Sequence, residues 1–280
     1  MIFIVKIQLG NKERKLERRA LKFRVKKNES DQIAEYLYAK GYFNFYSESL
    51  PDGEEEYFHL FCDEGIDLSE IGVEYEIELI KDEDWIKKWA DSLKIVDIGE
   101  GLYVNPNPDK FKDPDGITVR VIPGMAFGTG EHESTKIAIR FLKKVVKPGS
   151  SVCDVGCGSG ILSAFAVKLG ATRVLALDVD RLAISQALET ARINDVYYEV
   201  RQNDLLNGID EKFDVIVANL YYDLVIKMID SIPAGTYFVV SGIDKSHEKA
   251  LEDFYIKKGF KMVGKDCENS WCGFIWRREA

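Results

Sequence analysis

The sequence predicts an α/β chain: a doubly wound, mostly parallel sheet with an antiparallel edge, preceded by a small N-terminal α+β domain. Three observations carry this. From Ile117 onward, helix-like segments alternate with short apolar runs, SVCDVG, RVLALDVD, FDVIVANL and TYFVVSGI. Strands that are apolar on both sides and spaced by helices belong to a parallel sheet covered on both faces. A glycine turn, Gly156-x-Gly158-x-Gly160, joins the first run to a helix without an intervening loop. The final stretch, FKMVGKDCENSWCGFIWRR, places a polar loop between two apolar arms, the pattern of a closing hairpin.

Length and composition set the frame. With 280 residues, 46% of them hydrophobic and 30% charged, the chain suits one large or two ordinary globular domains. No apolar run approaches the roughly eighteen residues of a membrane helix. The opening MIFIVKIQLG is interrupted by Lys6 and Gln8 and reads as a strand rather than a leader, so a cytoplasmic, membrane-free chain is expected, with a monomer as the default. Among five cysteines, Cys153 and Cys157 are four apart and Cys267 and Cys272 five apart; neither spacing is C-x-x-C, and free thiols without a metal site are expected.

The net charge of −9 argues against a general nucleic-acid binder. Its distribution is uneven: Lys12–Lys27 is strongly basic, and Glu29 to Asp91 is dense in acids. Such runs are usually solvated faces. The other readings are a contact of residues 12–27 with RNA and steering of a basic partner by the acidic region.

Taken in order, the first eighty residues read as a sheet with helical cover. Strands are expected at Ile2–Leu9 and Leu21–Val25. A helix follows, capped by Asn28 or Ser30 and stopped by Gly41. Further strands are expected at Tyr42–Tyr46, Tyr57–Cys62 and Val73–Ile80. Lys81–Lys94 has Trp85 and Trp89 on one helical face and reads as a linker helix. The domains are therefore 1–80, a linker at 81–94, and 95–280.

The glycine turn points to the chemistry. Glycines at that place expose backbone N–H groups and a helix N-terminus to a polar or anionic ligand. Asp154 precedes the turn, and Asp178 closes the next strand, where an acid can accept both ribose hydroxyls. Asp204 follows the third strand, suitably placed to accept from an adenine amino group. A dinucleotide fingerprint would need G-x-G-x-x-G, and Ile161 stands where its last glycine belongs. S-adenosylmethionine fits better, and the alternative is a turn serving packing alone. On these residues the sequence resembles the class I S-adenosylmethionine-dependent methyltransferases, which implies a seven-stranded Rossmann-like sheet with the cofactor across its carboxyl edge.

A second loop, PGMAFGTGEHESTK, narrows the resemblance. With CDVGCGSGIL, VLALDVD, VIVANL and the upstream DWIKKWADSLKIVDIGEGLYVNP, it is similar to the PrmA family, which methylates large-subunit ribosomal protein eleven. The similarity covers about Asp84 to Gly242 and is weak over residues 1–80, the part the family uses to select its substrate. It implies cofactor contacts at Thr135, Gly156, Asp178 and Asn219, to which Gly158, Gly160, Asp154, Asp204 and Phe127 add themselves as candidates. The loop then reads as a lid over the methionine end of the cofactor, with His132 shaping it rather than serving as a base. It is not a zinc motif, since H-E-x-x-H would need histidine at Lys136.

The implied activity is protein N-methylation of lysine or N-terminal amines of a ribosomal protein, with S-adenosylhomocysteine as product and a ribosomal RNA contact through residues 12–27 as an added reading. A related methyltransferase with another protein or small-molecule substrate is the alternative. A cofactor-binding protein without catalysis would show a broken Asn219 or Asp178, and neither is broken. The Asn219 side-chain oxygen and the Leu220 carbonyl are expected to accept the amine N–H groups and aim its lone pair, with Tyr221 or Tyr222 lining the channel.

Overall fold

The computed structural model describes residues 17–39, 45–50, 53–62, 72–81, 94–122 and 130–279. Two compact units divide the chain, Met1–Trp89 and Ala90–Ala280. The expected strand Ile2–Leu9, residues Tyr42 to Asn44 of another, Phe127 with the rest of its loop from Pro123 to Thr129, and Trp85 and Trp89 of the linker helix lie outside the described residues.

The first unit contains β1 (Glu17–Lys26), α1 (Ser30–Ala39), β2 (Phe45–Ser49), β3 (Glu55–Cys62) and β4 (Tyr75–Lys81). They form an antiparallel sheet in the order β2-β3-β1-β4. Alternation on β1 buries Leu21, Phe23 and Val25, and Phe23 stacks on its cross-strand partner Phe58 at 5.5 Å. Leu37 of α1 covers them. The opposite face of β1 is polar, and its cations are interleaved with partners: Arg24 donates to Tyr57 Oη (2.9 Å) and Glu55 (3.2 Å), and the Lys22 ammonium sits 4.4 Å from the Tyr57 ring centre. A 3-10 turn at Lys27–Glu29 leads into α1, and the Ser30 hydroxyl, expected as a helix cap, donates instead to Glu56 of β3 at 2.7 Å.

The second unit begins with a three-stranded sheet that the apolar pattern did not suggest, β5 (Val96–Gly99), β6 (Leu102–Asn105) and β7 (Ile117–Arg120). Runs of four residues are too short to show a period. Buried Asn105 donates to Phe111 O and Asp113, and Arg120 pairs with Asp113 at 2.7 Å. The Arg120 backbone exchanges hydrogen bonds with the Asn194 side chain.

There follow α2 (Glu133–Val145), β8 (Ser151–Val155), α3 (Ile161–Lys168), β9 (Arg173–Asp178), α4 (Arg181–Ile193), β10 (Glu199–Gln202), β11 (Val215–Asn219), α5 (Tyr222–Lys227), β12 (Tyr237–Asp244), α6 (Glu248–Lys257), β13 (Phe260–Glu268) and β14 (Trp271–Arg278). Their sheet has seven strands in the order β10-β9-β8-β11-β12-β14-β13. The first five are mutually parallel, and β14 and β13 close the edge antiparallel. Successive strand residues feed two cores: Val152, Val174, Val215 and Val239 face one side, and Cys153, Leu175, Ile216 and Phe238 the other. Each such side chain, fully buried, contributes about 1.5–3 kcal/mol. This two-sided burial explains the unbroken apolar runs of the sequence.

The free-thiol expectation needs correction. A two-residue turn at Asn269–Ser270, with Asn269 left-handed (φ 53°), sets Cys267 directly opposite Cys272, and the two are disulfide-bonded. Sequence spacing says nothing about cross-strand register, which a tight hairpin turn decides. Cys153 and Cys157 are buried free thiols, with burial pushing both well above the usual range.

Candidate active site

Strand order reverses beside β8, whose neighbours β9 and β11 are reached by connections leading in opposite directions. A ligand in an open α/β sheet belongs at such a switch point, outside the carboxyl ends of the strands. The glycine turn ends β8 and Asn219 ends β11, so the two stand on either side of it.

The turn is held by the neighbouring strand. Gly156 and Cys157 donate to Leu177 O at 2.8 and 2.9 Å, and Gly158 N donates to Asp178 Oδ2 at 2.9 Å. All three glycines have positive φ, which side chains adopt only with strain. The space is also taken: a Cβ on Gly156 would meet Leu220 Cδ2 at 2.6 Å, and one on Gly160 the Tyr198 hydroxyl at 2.5 Å and Ala187 Cα at 2.8 Å.

Half-buried Asp178 also accepts from Asp180 N at 3.0 Å, and each of its oxygens keeps a lone pair for a ligand. Asp204 is exposed past the end of β10 and accepts from Asn207; Asn203 N bonds to Asp178 O at 2.8 Å, so both acids share one stretch of the edge. Asp154 is fully buried. Its Oδ2 accepts from Ser163 Oγ at 2.6 Å, and its Oδ1 has no hydrogen-bond partner among the described residues. Burial pushes its carboxyl up to about 7, helped by the charge of Asp178 and opposed by the Ser163 hydrogen bonds.

On the β11 side, Asn219 Nδ2 lies 3.3 Å from Thr135 Oγ1 in the first turn of α2. Ser241 Oγ of β12 donates to Ser134 O at 2.7 Å, tying the same turn to the sheet. His132 is the N-cap of α2: its Nδ1 accepts from Ser134 N at 3.2 Å, and burial lowers its pKa, favouring the neutral ring that keeps this lone pair. The reading of His132 as a loop-shaping residue thus has a concrete form. Thr135 and Asn219 are brought together, and Gly156 reaches them through Leu220.

One residue the sequence reading missed is Gly242 (φ 81°). A Cβ there would lie 2.9 Å from Asn219 Oδ1 and 3.0 Å from Leu220 O, so the two acceptor oxygens converge on it. A glycine inside a strand marks a bulge or close backbone approach, and a register shift between Val240 and Ile243 marks the bulge. That glycine was the available signal.

The buried Asp154 carboxylate with one oxygen left over, the left-handed glycine turn and the edge acids Asp178 and Asp204 fit a nucleoside cofactor bearing a charged amino-acid group. The sheet and this edge define a Rossmann-like class I methyltransferase. A model of the family described as ribosomal protein L11 methyltransferase (PrmA) matches residues 8–279, and the chain belongs to that family. It is 33% identical over 259 residues to the ribosomal protein L11 methyltransferase of Thermotoga maritima, covering 90% of this chain and 96% of that one. Against the protein of that name from Caldicellulosiruptor saccharolyticus it is 39% identical over 213 residues, 72% of this chain and 68% of the relative. The crystal structure of ribosomal protein L11 methylase from Lactobacillus delbrueckii subsp. bulgaricus aligns with a TM-score of 0.63 at 30% identity, over 67% of this chain and all of that one.

Proposed function

We propose that this chain transfers methyl groups from S-adenosylmethionine to lysine or N-terminal amines of ribosomal protein L11, leaving S-adenosylhomocysteine. The observation that supports the reading is the placement of Asn219 Oδ1 and Leu220 O together at the carboxyl end of β11, 2.9 and 3.0 Å from where a Gly242 Cβ would stand. Two fixed acceptors are what an amine nucleophile requires.

When bound, the cofactor supplies an electrophilic methyl group on a sulfonium; the protein supplies alignment. Asp178 would hold the ribose hydroxyls, Asp204 the adenine amino group, and the Gly156–Gly160 turn and the first turn of α2 with Thr135 the amino-acid end. Phe127 walls the methyl-transfer pocket in this reading. A lysine amine must lose a proton, which costs roughly 4–5 kcal/mol at pH 7. Desolvation lowers that cost, and the Asn219 and Leu220 oxygens accept the remaining N–H groups and orient the lone pair. Residues 1–80 select the substrate, residues 12–27 supply an RNA contact, the linker spans 81–94, and a cytoplasmic monomer carries out the reaction.

The alternative is a related methyltransferase that uses the same site on a different protein or small-molecule substrate. Labelled methyl from S-adenosylmethionine, offered to purified ribosomal protein L11 and to a cell extract, decides between them. Label in L11 that vanishes in Asn219→Ala is expected. Label confined to another acceptor would replace the substrate while leaving the site.

A further inference from the structure

The tip of the closing hairpin is fastened to the helix that carries Thr135. Trp271 packs edge-on against His132, the α2 cap, with ring centres 4.9 Å apart. Asn269 Nδ2 donates to Glu133 Oε1 at 2.8 Å. Arg140 of α2 bridges Asp266 and Glu268, each at 2.9 Å. Gly273 lies so close to α2 that a Cβ would meet Ile137 Cγ2 at 2.5 Å. The Cys267–Cys272 bond closes the loop Glu268–Trp271, which supplies three of these contacts.

The two sulfurs have different surroundings. Cys267 is half-buried and offers its sulfur to an attacking thiol, whereas Cys272 is fully buried. Cys272 Sγ lies 3.5 Å from Glu248 Oε2, so a thiol formed there has an acceptor waiting. Glu248 is itself paired with Lys265, which also holds Glu252 at 2.9 Å.

We propose that Cys267–Cys272 is a reversible thiol–disulfide site that sets how firmly the hairpin tip holds the first turn of α2, and through that turn the affinity of the methyl-donor site. The second half rests on the proposed function; the first does not. In the reductive direction a small thiolate attacks Cys267 Sγ, the S–S bond breaks, and Cys272 leaves as a thiolate and takes a proton from solvent. A second small thiolate attacks the mixed disulfide and expels Cys267 as a thiolate, which is protonated in turn. Two low-molecular-weight thiols become one disulfide, and the protein gains two electrons and two protons. Oxidation by a low-molecular-weight disulfide runs the same steps backward. Without the covalent closure the four-residue loop gains conformational freedom, and its contacts to His132 and Glu133 are made less of the time.

The test compares oxidised and thiol-reduced full-length protein. Amide hydrogen exchange of Ser134–Ile137 is measured without cofactor, and S-adenosylmethionine affinity by calorimetry. Reduction is expected to speed exchange in that turn and to weaken cofactor binding about fivefold. Cys267→Ser/Cys272→Ser should match the reduced protein in both states, and Trp271→Ala, which leaves the disulfide and the Asn269 and Glu268 contacts intact, should shrink the redox difference. Equal exchange in the two states of the unmodified protein overturns the proposal, whatever the variants do. Redox-sensitive exchange with no cofactor binding in either state upholds the hairpin's hold on α2 and sinks the functional reading instead.

Discussion

The two units differ in what their sheets are for. In the first, the described part of β1 separates its sides cleanly: Leu21, Phe23 and Val25 go inward, and Lys22 and Arg24 turn outward to Tyr57 and Glu55. Every residue there can be explained by packing or solvation. In the second, the strand interiors are equally regular, but their carboxyl ends break local rules. Left-handed glycines, a bulge at Gly242 and the unpartnered buried Asp154 Oδ1 cluster at one edge. Departures from local consistency gather where a ligand is handled.

Four changes break or sharpen that contrast. The largest effect is expected from Asn219→Ala, which should lower methyl transfer about 100- to 1000-fold, the scale for removing one fixed polar group from a transition state. Cofactor affinity should shift far less, and single-turnover transfer beside calorimetry checks both. Unchanged turnover would strip the β11 edge of its special status.

Next is Gly160→Ala, strained by φ 78° and by contact with Tyr198 and Ala187. A loss of about 2–3 kcal/mol is expected in urea unfolding of the second unit, with the first unit's transition unmoved. A loss under about 0.5 kcal/mol would mean that the turn relaxes freely.

Asp154 supplies a pH signature. Its folded-state pKa is raised to about 7 by burial, above the unfolded carboxylate value. Between those two values the folded state binds more protons than the unfolded state, so this contribution to stability is complete at acid pH and is lost as pH rises to about 7. Asp154→Asn should remove that slope and gain about 2 kcal/mol relative to the unmodified protein on going from pH 5 to pH 8. Parallel pH profiles for the two proteins would show that Asp154 does not titrate in this window.

The smallest effect belongs to the first unit. Ser30→Ala removes the hydrogen bond to Glu56 and should cost about 1 kcal/mol or less. Thermal unfolding of that unit should move by a few degrees at most, with methyl transfer intact. A larger loss would reveal a polar contact there that matters as those of the second unit do.

Legibility in the sequence followed the same division. Four of the five parallel strands, β8, β9, β11 and β12, and the closing hairpin could be read from apolar runs, because burial on two sides leaves no polar alternation to confuse the pattern; β10, EVRQ, is an exposed to half-buried strand without such a run. The positions of the Gly156–Gly160 turn, Asp178, Asp204 and Asn219 at the strand ends could be read because turn geometry and strand ends restrict residue type. The strands β5–β7 could not, since four residues are shorter than any reliable period, and their anchor, Arg120 with Asn194, joins residues far apart in sequence. Ser30 was misread because the 3-10 turn ahead of it already places it in helical conformation, inside α1 rather than at its cap, where its hydroxyl donates to Glu56.

The sequence by itself determined the class of fold, the glycine turn and the acids that frame it, because each depends on local backbone freedom or on burial that the residue order already encodes. Tertiary structure alone decided that Gly242 would meet Asn219 and Leu220, that Cys267 would face Cys272, and that Trp271 would lie on the cap of α2. Those meetings depend on strand register and on a bulge. A shift of one residue in either would turn the same side chains to the opposite face.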